Sequence, residues 1–303
     1  MLEECHDIVQ ALHERLAFLE RGFLSVPGDV GGREIVVQGP AIVISCTRLR
    51  PEGKGSGAKP RVVKDNDPDA QRIQRVYNVY KKLTGGADGG VMGVNGSLTS
   101  GKLTMVLKMA GVKGKHFIDM GAGDGRVILA AKLLGAIISE GYELPGNRAH
   151  QGVFEAVEME CEETGICPPG APTVFNLRDI DTLETLEGVT APTCVFSFWV
   201  GFHPETQKKI LRLCAENENV VSIAVFRDRK WTIFQNVLDV LNKFAPAKST
   251  WTHDVSETVK TTMMGSRQEH TCWVFYKVVL QPLVPAGDGG VPRASIVNVD
   301  PMD

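Results

Sequence analysis

The chain has 303 residues, of which 43% are hydrophobic and 23% charged, so it can bury a large core. Its formal net charge of -3 excludes a globally basic nucleic-acid binder. The seven cysteines lack the spacing of zinc ligands and predict reduced, mostly buried thiols, with no metal site. The N-terminus lacks a secretory apolar core and no segment has membrane-spanning length, which predicts a soluble intracellular protein with no membrane partner.

The sequence predicts that residues 1–60 form an appendage to the main domain. Apolar side chains recur at helical spacing within the first 24 residues, and the β-branched runs Glu34–Val37 and Ala41–Cys46 flank a turn. We therefore expect a small N-terminal helix and a β-hairpin. Between Arg48 and Lys64, six basic residues and one acidic residue lie among glycines and prolines. This stretch predicts a flexible basic linker, and the alternative is a strap that makes a weak contact with DNA.

The sequence predicts that residues 61–115 form a mostly helical segment that precedes the main domain in the chain. A helix is expected over Asp69–Leu83, followed by the glycine-rich loop Gly85–Gly90. A second helix is expected to begin near Leu98.

From residue 116 to residue 280, strand and helix patterns alternate. The predicted strands are His116–Met120, Ile137–Glu143, Thr173–Asn176, Cys194–Trp199 and Val220–Phe226, and the predicted helices are Arg126–Leu134, Arg148–Thr164 and Pro204–Glu216. Such alternation produces a mostly parallel sheet with helices on both faces. Val255–Met263 and Trp273–Val279 predict an antiparallel hairpin at the sheet edge, and residues 281–303 predict a loose tail.

A glycine-rich motif follows the first of these strands. Asp119 lies near the end of the strand, and Gly121, Gly123 and Gly125 precede a helix. Glycines let the backbone turn sharply and let a ligand approach it closely. An NAD-type fingerprint would place its third glycine where Arg126 stands, so the spacing favours an S-adenosylmethionine (SAM) site over a dinucleotide site. The alternative is a Rossmann unit that binds NAD or no cofactor.

Two further carboxylates follow the next two strands. Glu143 ends the second strand, where it could accept hydrogen bonds from both ribose hydroxyls of the cofactor. Asp179 follows the third strand, where it could accept from the adenine amino group, and Asp181 is its rival. The alternative for Asp179 is a helix N-cap. Together with the glycines, these residues predict the seven-stranded Rossmann-like sheet of class I methyltransferases.

The fourth strand ends where such sheets carry out their chemistry. It lacks the Asn/Asp-Pro-Pro-aromatic motif of adenine-amino methyltransferases, and Cys194 lacks the preceding proline of cytosine-C5 enzymes, so nucleobase methylation is disfavoured. Alternation assigns Phe198 to the core, which leaves Trp199 and Phe202 as candidate walls of an apolar channel for a lysine. Burial in such a channel lowers the pKa of an ammonium group and so favours the reactive amine.

Ser197, next to these aromatic side chains, completes the set of candidate catalytic residues. His203 precedes Pro204 at a predicted helix start, and we interpret it as a capping or surface residue.

Residues 70–280 resemble the disruptor-of-telomeric-silencing class of histone H3 core-lysine methyltransferases. The resemblance rests on Asn95–Ser100, on Asp119–Gly125 and on Phe202–Glu205, which is similar to the family's Phe-Gly-Pro-Glu. It implies that the cofactor contacts lie at Gly96, Leu98, Thr99, Asp119, Gly121, Gly123, Gly125, Glu143, Asp179 and Ile180. Of these, Gly96, Leu98 and Thr99 would belong to a cofactor-covering loop that folds over the methionine part of the cofactor. One departure is that Phe198–Val200 replaces an Asn-Asn-Phe run of better-known members.

A second family shares part of the motif. Gly123–Arg126 and Gly141–Leu144 are similar to lysine methyltransferases of the ATP synthase c subunit, which usually carry an N-terminal membrane-targeting segment that is not evident here. We therefore expect a SAM-dependent protein-lysine N-methyltransferase that acts on histone H3 or the nucleosome, with nuclear localisation favoured over cytoplasmic. The alternatives are a lysine methyltransferase of a non-histone protein, of the ATP synthase c-subunit type, a small-molecule or tRNA methyltransferase, and a catalytically silent binding module.

Overall fold

Six helices and eight strands make up the part of the chain that the structure describes. The computed structural model describes residues 67–84, 98–168, 170–199, 201–227, 232–253, 258–262 and 269–279. The helices are α1 (Pro68–Thr84), α2 (Ser100–Ala110), α3 (Arg126–Leu133), α4 (Arg148–Glu163), α5 (Pro204–Glu216) and α6 (Thr232–Phe244). The strands are β1 (His116–Met120), β2 (Ile138–Glu143), β3 (Thr173–Leu177), β4 (Thr193–Ser197), β5 (Val220–Arg227), β6 (Ser249–His253), β7 (Val259–Thr262) and β8 (Glu269–Val279). Two short 3-10 helices, Pro145–Asn147 and Ile180–Thr182, follow β2 and β3.

Several predicted features lie outside the described residues. They are the N-terminal helix and hairpin, the Arg48–Lys64 linker, the Gly85–Gly90 loop, Gly96 and the tail at 281–303.

The strands form a single mixed sheet in the order β3-β2-β1-β4-β5-β8-β6. β1 to β5 are parallel to one another, and β8 is antiparallel to β5. β6 pairs with residues 275–279 of β8 and β7 with residues 269–272, so the two short strands share one edge position. Eight strands therefore fill seven positions.

Both faces of this sheet are packed, because successive β1 residues point to opposite sides. Phe117 joins a hydrophobic cluster that includes side chains of α1 to α4, and Ile118 joins one that includes side chains of α5 and α6. All five residues of β1 are buried, as expected for a parallel strand covered on both faces. The predicted fold class, a Rossmann-like class I methyltransferase sheet with helices on both faces, is confirmed.

Helix α1 packs through one stripe of side chains. Ile73, Val76, Tyr77 and Tyr80 are spaced i, i+3, i+4, i+7 and are all buried. This stripe directs two tyrosine rings into the core cluster on the α3 side of the sheet. The predicted helix over Asp69–Leu83 is thereby confirmed within one residue at each end.

The structure differs from the predicted elements at a few places. α6 and β6 are additional elements that the sequence patterns above do not include. β4 ends at Ser197, two residues before the predicted Trp199, and α2 begins at Ser100. Of the predicted stretch Val255–Met263, the structure describes only residues 258–262, within which β7 lies.

Candidate functional site

The loop after β1 passes three times through left-handed backbone conformations. Gly121, Gly123 and Gly125 have φ angles of 93°, 56° and 82°, in a region that favours glycine. The amides of Gly121 and Ala122 both donate to the carbonyl oxygen of Tyr142, at 3.0 and 2.9 Å. The predicted glycine-rich turn is therefore present, and it is attached to the carboxyl end of the neighbouring parallel strand β2.

Glu143 faces this loop from the end of β2. Its Oε2 accepts a hydrogen bond from the Gly123 amide at 2.7 Å. Its Oε1 accepts from the Leu144 amide at 3.0 Å and from Nδ2 of Asn147 at 2.7 Å. Because Oε2 takes part in only this one hydrogen bond among the described residues, it retains a lone pair for a ligand hydroxyl. The carboxylate is therefore held in one orientation by three hydrogen bonds, with Oε2 able to accept another.

Two neighbours of Glu143 belong to the site although the sequence motif does not single them out. Asn147, at the end of the 3-10 helix after β2, fixes the carboxylate through its side-chain amide. Leu144 is 41% exposed directly beside Glu143 and offers an apolar surface to a flat ring. The sequence signals that could have indicated them are the apolar Leu144 directly after Glu143 and the side-chain amide of Asn147 three positions after Leu144.

Asp119 is the most deeply buried acidic residue of the site. It is 1% exposed, and its Oδ1 accepts no hydrogen bond from the residues that the structure describes. Burial raises the pKa of Asp119 well above its usual range, and the negative charges of Glu143 and Asp124 raise it further. Asp124 itself pairs with Arg126, with 2.8 Å between Oδ2 and Nε. A bound cation near Asp119 would favour its charged form, so the site suits a positively charged ligand.

Asp179 takes the capping position that the sequence left as an alternative. Its Oδ1 accepts from the Asp181 amide at 3.0 Å, at the N-cap of the 3-10 helix that follows β3. Ile180 is 7% exposed, and Asp181 accepts from the Thr206 hydroxyl at 2.8 Å. The N-cap role is confirmed, whereas contacts of Asp179 and Ile180 with adenine stay predictions.

Two of the three candidate catalytic side chains lie in the core. Ser197 is 0% exposed, and its hydroxyl donates to the carbonyl oxygen of Met120 at 3.0 Å, which joins β4 to β1. Trp199 is 2% exposed and belongs to the cluster on the α5 and α6 side of the sheet. Because β4 ends at Ser197, strand alternation no longer sets the direction of Trp199. Their placement therefore does not support the predicted catalytic role of Ser197 or the predicted position of Trp199 at a channel.

Phe198 has the more open position at the end of β4. It is half-buried, with its ring centroid 5.0 Å from that of Phe226 and 5.3 Å from that of His270. The sequence assigned Phe198 to the core and Trp199 to the channel, and the exposure of the two side chains is the reverse. The signal that could have corrected this is the glycine at 201, which marks the turn that ends the strand.

Phe202 remains at the site. Its amide donates to the carbonyl oxygen of Trp199 at 3.1 Å, and its ring lies where a Cβ on Gly121 would be. Only glycine at position 121 leaves room for this ring. His203 is the N-cap of α5, with Nδ1 accepting from the Glu205 amide at 3.4 Å, which confirms the capping interpretation.

The predicted cofactor-covering residues are only partly described. Leu98 is 4% exposed and packs in the cluster that contains α1 and α2 residues. Thr99 is at the N-cap position of α2, and its carbonyl oxygen accepts from the Leu103 amide at 2.9 Å. Their contacts with a cofactor stay predictions.

The described residues include neither a membrane-spanning helix nor a cluster of metal ligands. None of the described helices is long and apolar enough to cross a membrane. The described His, Cys, Asp and Glu side chains form no group that could hold a metal ion. The five described cysteines are buried free thiols.

Comparisons with known proteins add fold-level similarities. No family model matches the sequence, and no curated protein matches it. A Pyrococcus horikoshii protein proposed to be an RNA methyltransferase is similar in structure, with a TM-score of 0.49, 17% identity, and coverage of 69% of this chain and 100% of its own. Magnesium protoporphyrin IX methyltransferase of Synechocystis PCC 6803, with bound SAH, has a TM-score of 0.43, 11% identity, and coverage of 69% and 99%.

Ribosomal protein L11 methylase of Lactobacillus delbrueckii subsp. bulgaricus has a TM-score of 0.39 and 13% identity, and the match covers 59% of this chain and 78% of that one. Similarities at these TM-scores carry no conclusion about substrate or mechanism. The assignment of a class I methyltransferase fold rests on the strand order and pairing of the sheet.

Glu143→Gln should raise the Kd for SAM about tenfold, because glutamine has only one acceptor oxygen. Its NH2 group would face either the Gly123 amide and the ribose, or the amide donors of Leu144 and Asn147. Isothermal titration calorimetry measures this change. Glu140→Gln is a matched control, since Glu140 lies in the same strand with the same 9% exposure but pairs with His116 instead. Equal Kd values for Glu143→Gln and the wild-type protein would remove Glu143 from the site.

Asp119→Asn should stabilise the ligand-free protein while weakening SAM binding. Because the folded-state pKa of Asp119 is raised, the folded protein binds more protons than the unfolded chain above about pH 3.8, and its stability falls as pH rises through the raised value. The variant lacks this loss and should unfold at a higher urea concentration than the wild-type protein at pH 7.5. Urea denaturation between pH 4.5 and 8 measures the difference, which should grow with pH. A difference that stays constant with pH would contradict the raised pKa of Asp119.

Proposed function

We propose that this protein is a SAM-dependent protein-lysine N-methyltransferase that acts on histone H3, free or in the nucleosome. The observation that carries the proposal is the Glu143 carboxylate 2.7 Å from the Gly123 amide, at the carboxyl ends of two adjacent parallel strands. That edge of a Rossmann-like sheet is where ligands bind in open α/β folds.

Three of the described residues are each suited to one part of SAM. The free lone pair of Glu143 Oε2 suits a ribose hydroxyl, and the exposed face of Leu144 suits adenine. The buried Asp119 carboxylate, which lacks a hydrogen bond at Oδ1, suits the positive charge of the methionine part. When bound, SAM supplies an electrophilic methyl group on a sulfonium.

The acceptor side of the site is aromatic. Phe202 lies over Gly121 at the edge of the cofactor loop, and the half-buried Phe198 lies on the same connection between β4 and α5. A lysine ammonium that enters between such rings loses hydration, which lowers its pKa and favours release of a proton to water. The neutral amine would then attack the methyl carbon in line, so that one N–C bond forms as the S–C bond breaks and S-adenosylhomocysteine leaves with the bonding electron pair. Positioning of the amine provides most of the acceleration.

Support for a histone substrate comes from the sequence. Phe202–Glu205 resembles the Phe-Gly-Pro-Glu motif of histone H3 core-lysine methyltransferases. The residues of the glycine-rich loop resemble the cofactor-binding residues of the same family. The basic stretch between Arg48 and Lys64 provides a weak contact with nucleosomal DNA in this proposal. Such a substrate places the protein in the nucleus.

Methyl transfer from labelled SAM tests the proposal. Nucleosomes, free histones, a total protein extract and tRNA are assayed side by side with wild-type protein and with Glu143→Gln. We expect label on histone H3 that falls at least tenfold in the variant, in line with loss of a cofactor hydrogen bond.

The other outcomes identify which part of the proposal fails. Label only on another protein, including the ATP synthase c subunit, or only on RNA would overturn the histone substrate and retain the methyltransferase activity. No label on any substrate, despite SAM binding, would favour a catalytically silent module.

A charge-neutralised variant tests the DNA contact. Lys54, Lys59, Arg61 and Lys64 are each changed to Gln, which removes four of the six basic residues of the linker. Labelling of nucleosomes should fall several-fold at low salt, because phosphate contacts weaken as charge is lost. Labelling of free H3 should not change. Equal labelling of nucleosomes by both proteins would make the stretch a linker only.

A further inference from the structure

Helix α1 makes a direct contact with the glycine-rich loop through Tyr80. The Tyr80 hydroxyl donates to the main-chain carbonyl oxygen of Asp124 at 2.7 Å, across 44 residues of sequence. Tyr80 is 0% exposed. Burial and the negative charge of Asp124 raise the pKa of Tyr80 well above its usual range, so the hydroxyl remains a donor at physiological pH.

Arg126 joins the same contact from the other side of Asp124. Its Nε lies 2.8 Å from Oδ2 of Asp124. The centre of its guanidinium lies 4.9 Å from the ring centroid of Tyr80 and 5.9 Å from that of Tyr77. Both rings and the guanidinium are at least nine-tenths buried, so these cation-π contacts are shielded from water. Asp124 is thereby held through its main chain and its side chain.

The held residue stands between two glycines in left-handed conformations. Gly123 has a φ of 56° and Gly125 a φ of 82°, and glycine enters alternative backbone conformations at low cost. The Gly123 amide is the group that faces Glu143 at 2.7 Å. A restraint on Asp124 therefore limits the conformations open to the neighbouring Gly123, whose amide donates to Glu143.

We infer that Tyr80 is a positioning residue that holds the glycine-rich loop in its cofactor-binding conformation. The inference rests on the proposed function, because it concerns the same SAM site. Without the hydroxyl, the Asp124 carbonyl loses a buried partner and the loop populates other conformations. Apparent affinity then falls by the fraction of molecules that remain in the competent conformation.

Tyr80→Phe tests the inference, with Tyr276→Phe as a matched control. The Tyr276 hydroxyl also donates to a main-chain carbonyl oxygen, that of Met109, at 2.8 Å, but on the α2 and β8 side of the fold. Each substitution removes one hydroxyl hydrogen bond to the backbone and leaves the ring in place. Differences between the variants therefore report on location and not on loss of a hydrogen bond as such.

The measurements are the Kd for SAM by calorimetry, the thermal midpoint, and KM for SAM with kcat for the labelled acceptor. We expect Tyr80→Phe to raise Kd and KM for SAM about threefold to tenfold, the range that loss of one hydrogen bond allows, with kcat unchanged at saturating SAM. Tyr276→Phe should lower the thermal midpoint by less than Tyr80→Phe, because Tyr276 is only half-buried, and should leave Kd unchanged.

Each other result contradicts a separate claim. An unchanged Kd in Tyr80→Phe, or an equal rise in Tyr276→Phe, would overturn the positioning role while the proposed function stands. Absence of SAM binding by the wild-type protein would overturn the proposed function, and the inference with it.

Discussion

The hydrogen bond between the Gly123 amide and the Glu143 carboxylate, 2.7 Å long, is the interaction on which the candidate site depends. It forms because β1 and β2 are parallel and end together, with Met120 opposite Tyr142. The same register places Gly141 under the loop, where a Cβ would lie 2.6 Å from side-chain atoms of both Ala122 and Ile128. Glycine at position 141 therefore lets the loop pack closely enough for its amide to reach the carboxylate.

The acidic side chains around this hydrogen bond do not stabilise the fold. Asp119 is buried beside Glu143 and Asp124, and burial together with their charges raises its pKa. Arg126 neutralises only the Asp124 side of the cluster among the pairs described. Such an arrangement is costly in an empty site and favourable when a cation is bound, as is common where stability is traded for function. The raised pKa of Asp119 favours its neutral form in the ligand-free protein, which limits the repulsion among these carboxyl groups.

Much of the fold could be predicted because parallel strands covered on both faces are continuous apolar runs with glycine or acidic residues at their ends. β1, the glycine turn and Glu143 carry such local signals, and the structure places them as expected. The aromatic side chains after β4 could not be assigned in this way. Strand alternation stops at Ser197, and the turn that follows sends Trp199 into the core and leaves Phe198 half-buried.

Contacts between distant segments were also beyond prediction from the sequence. The bond from Tyr80 to Asp124 joins residues 44 positions apart, and nothing in the helical pattern of α1 distinguishes Tyr80 from an ordinary core residue. Asp179 illustrates a different limit, because an aspartate after a strand can cap a helix and bind a ligand with its two separate oxygens. The structure shows the first of these roles.

A crystal structure of the protein with S-adenosylhomocysteine tests the central claim most directly. The account predicts that the ribose hydroxyls lie within about 3 Å of the Glu143 carboxylate. The ligand's amino group should then approach Asp119, and its adenine should lie against Leu144. Ligand bound elsewhere in the fold, or adenosine at this edge with no contact to Glu143, would contradict it.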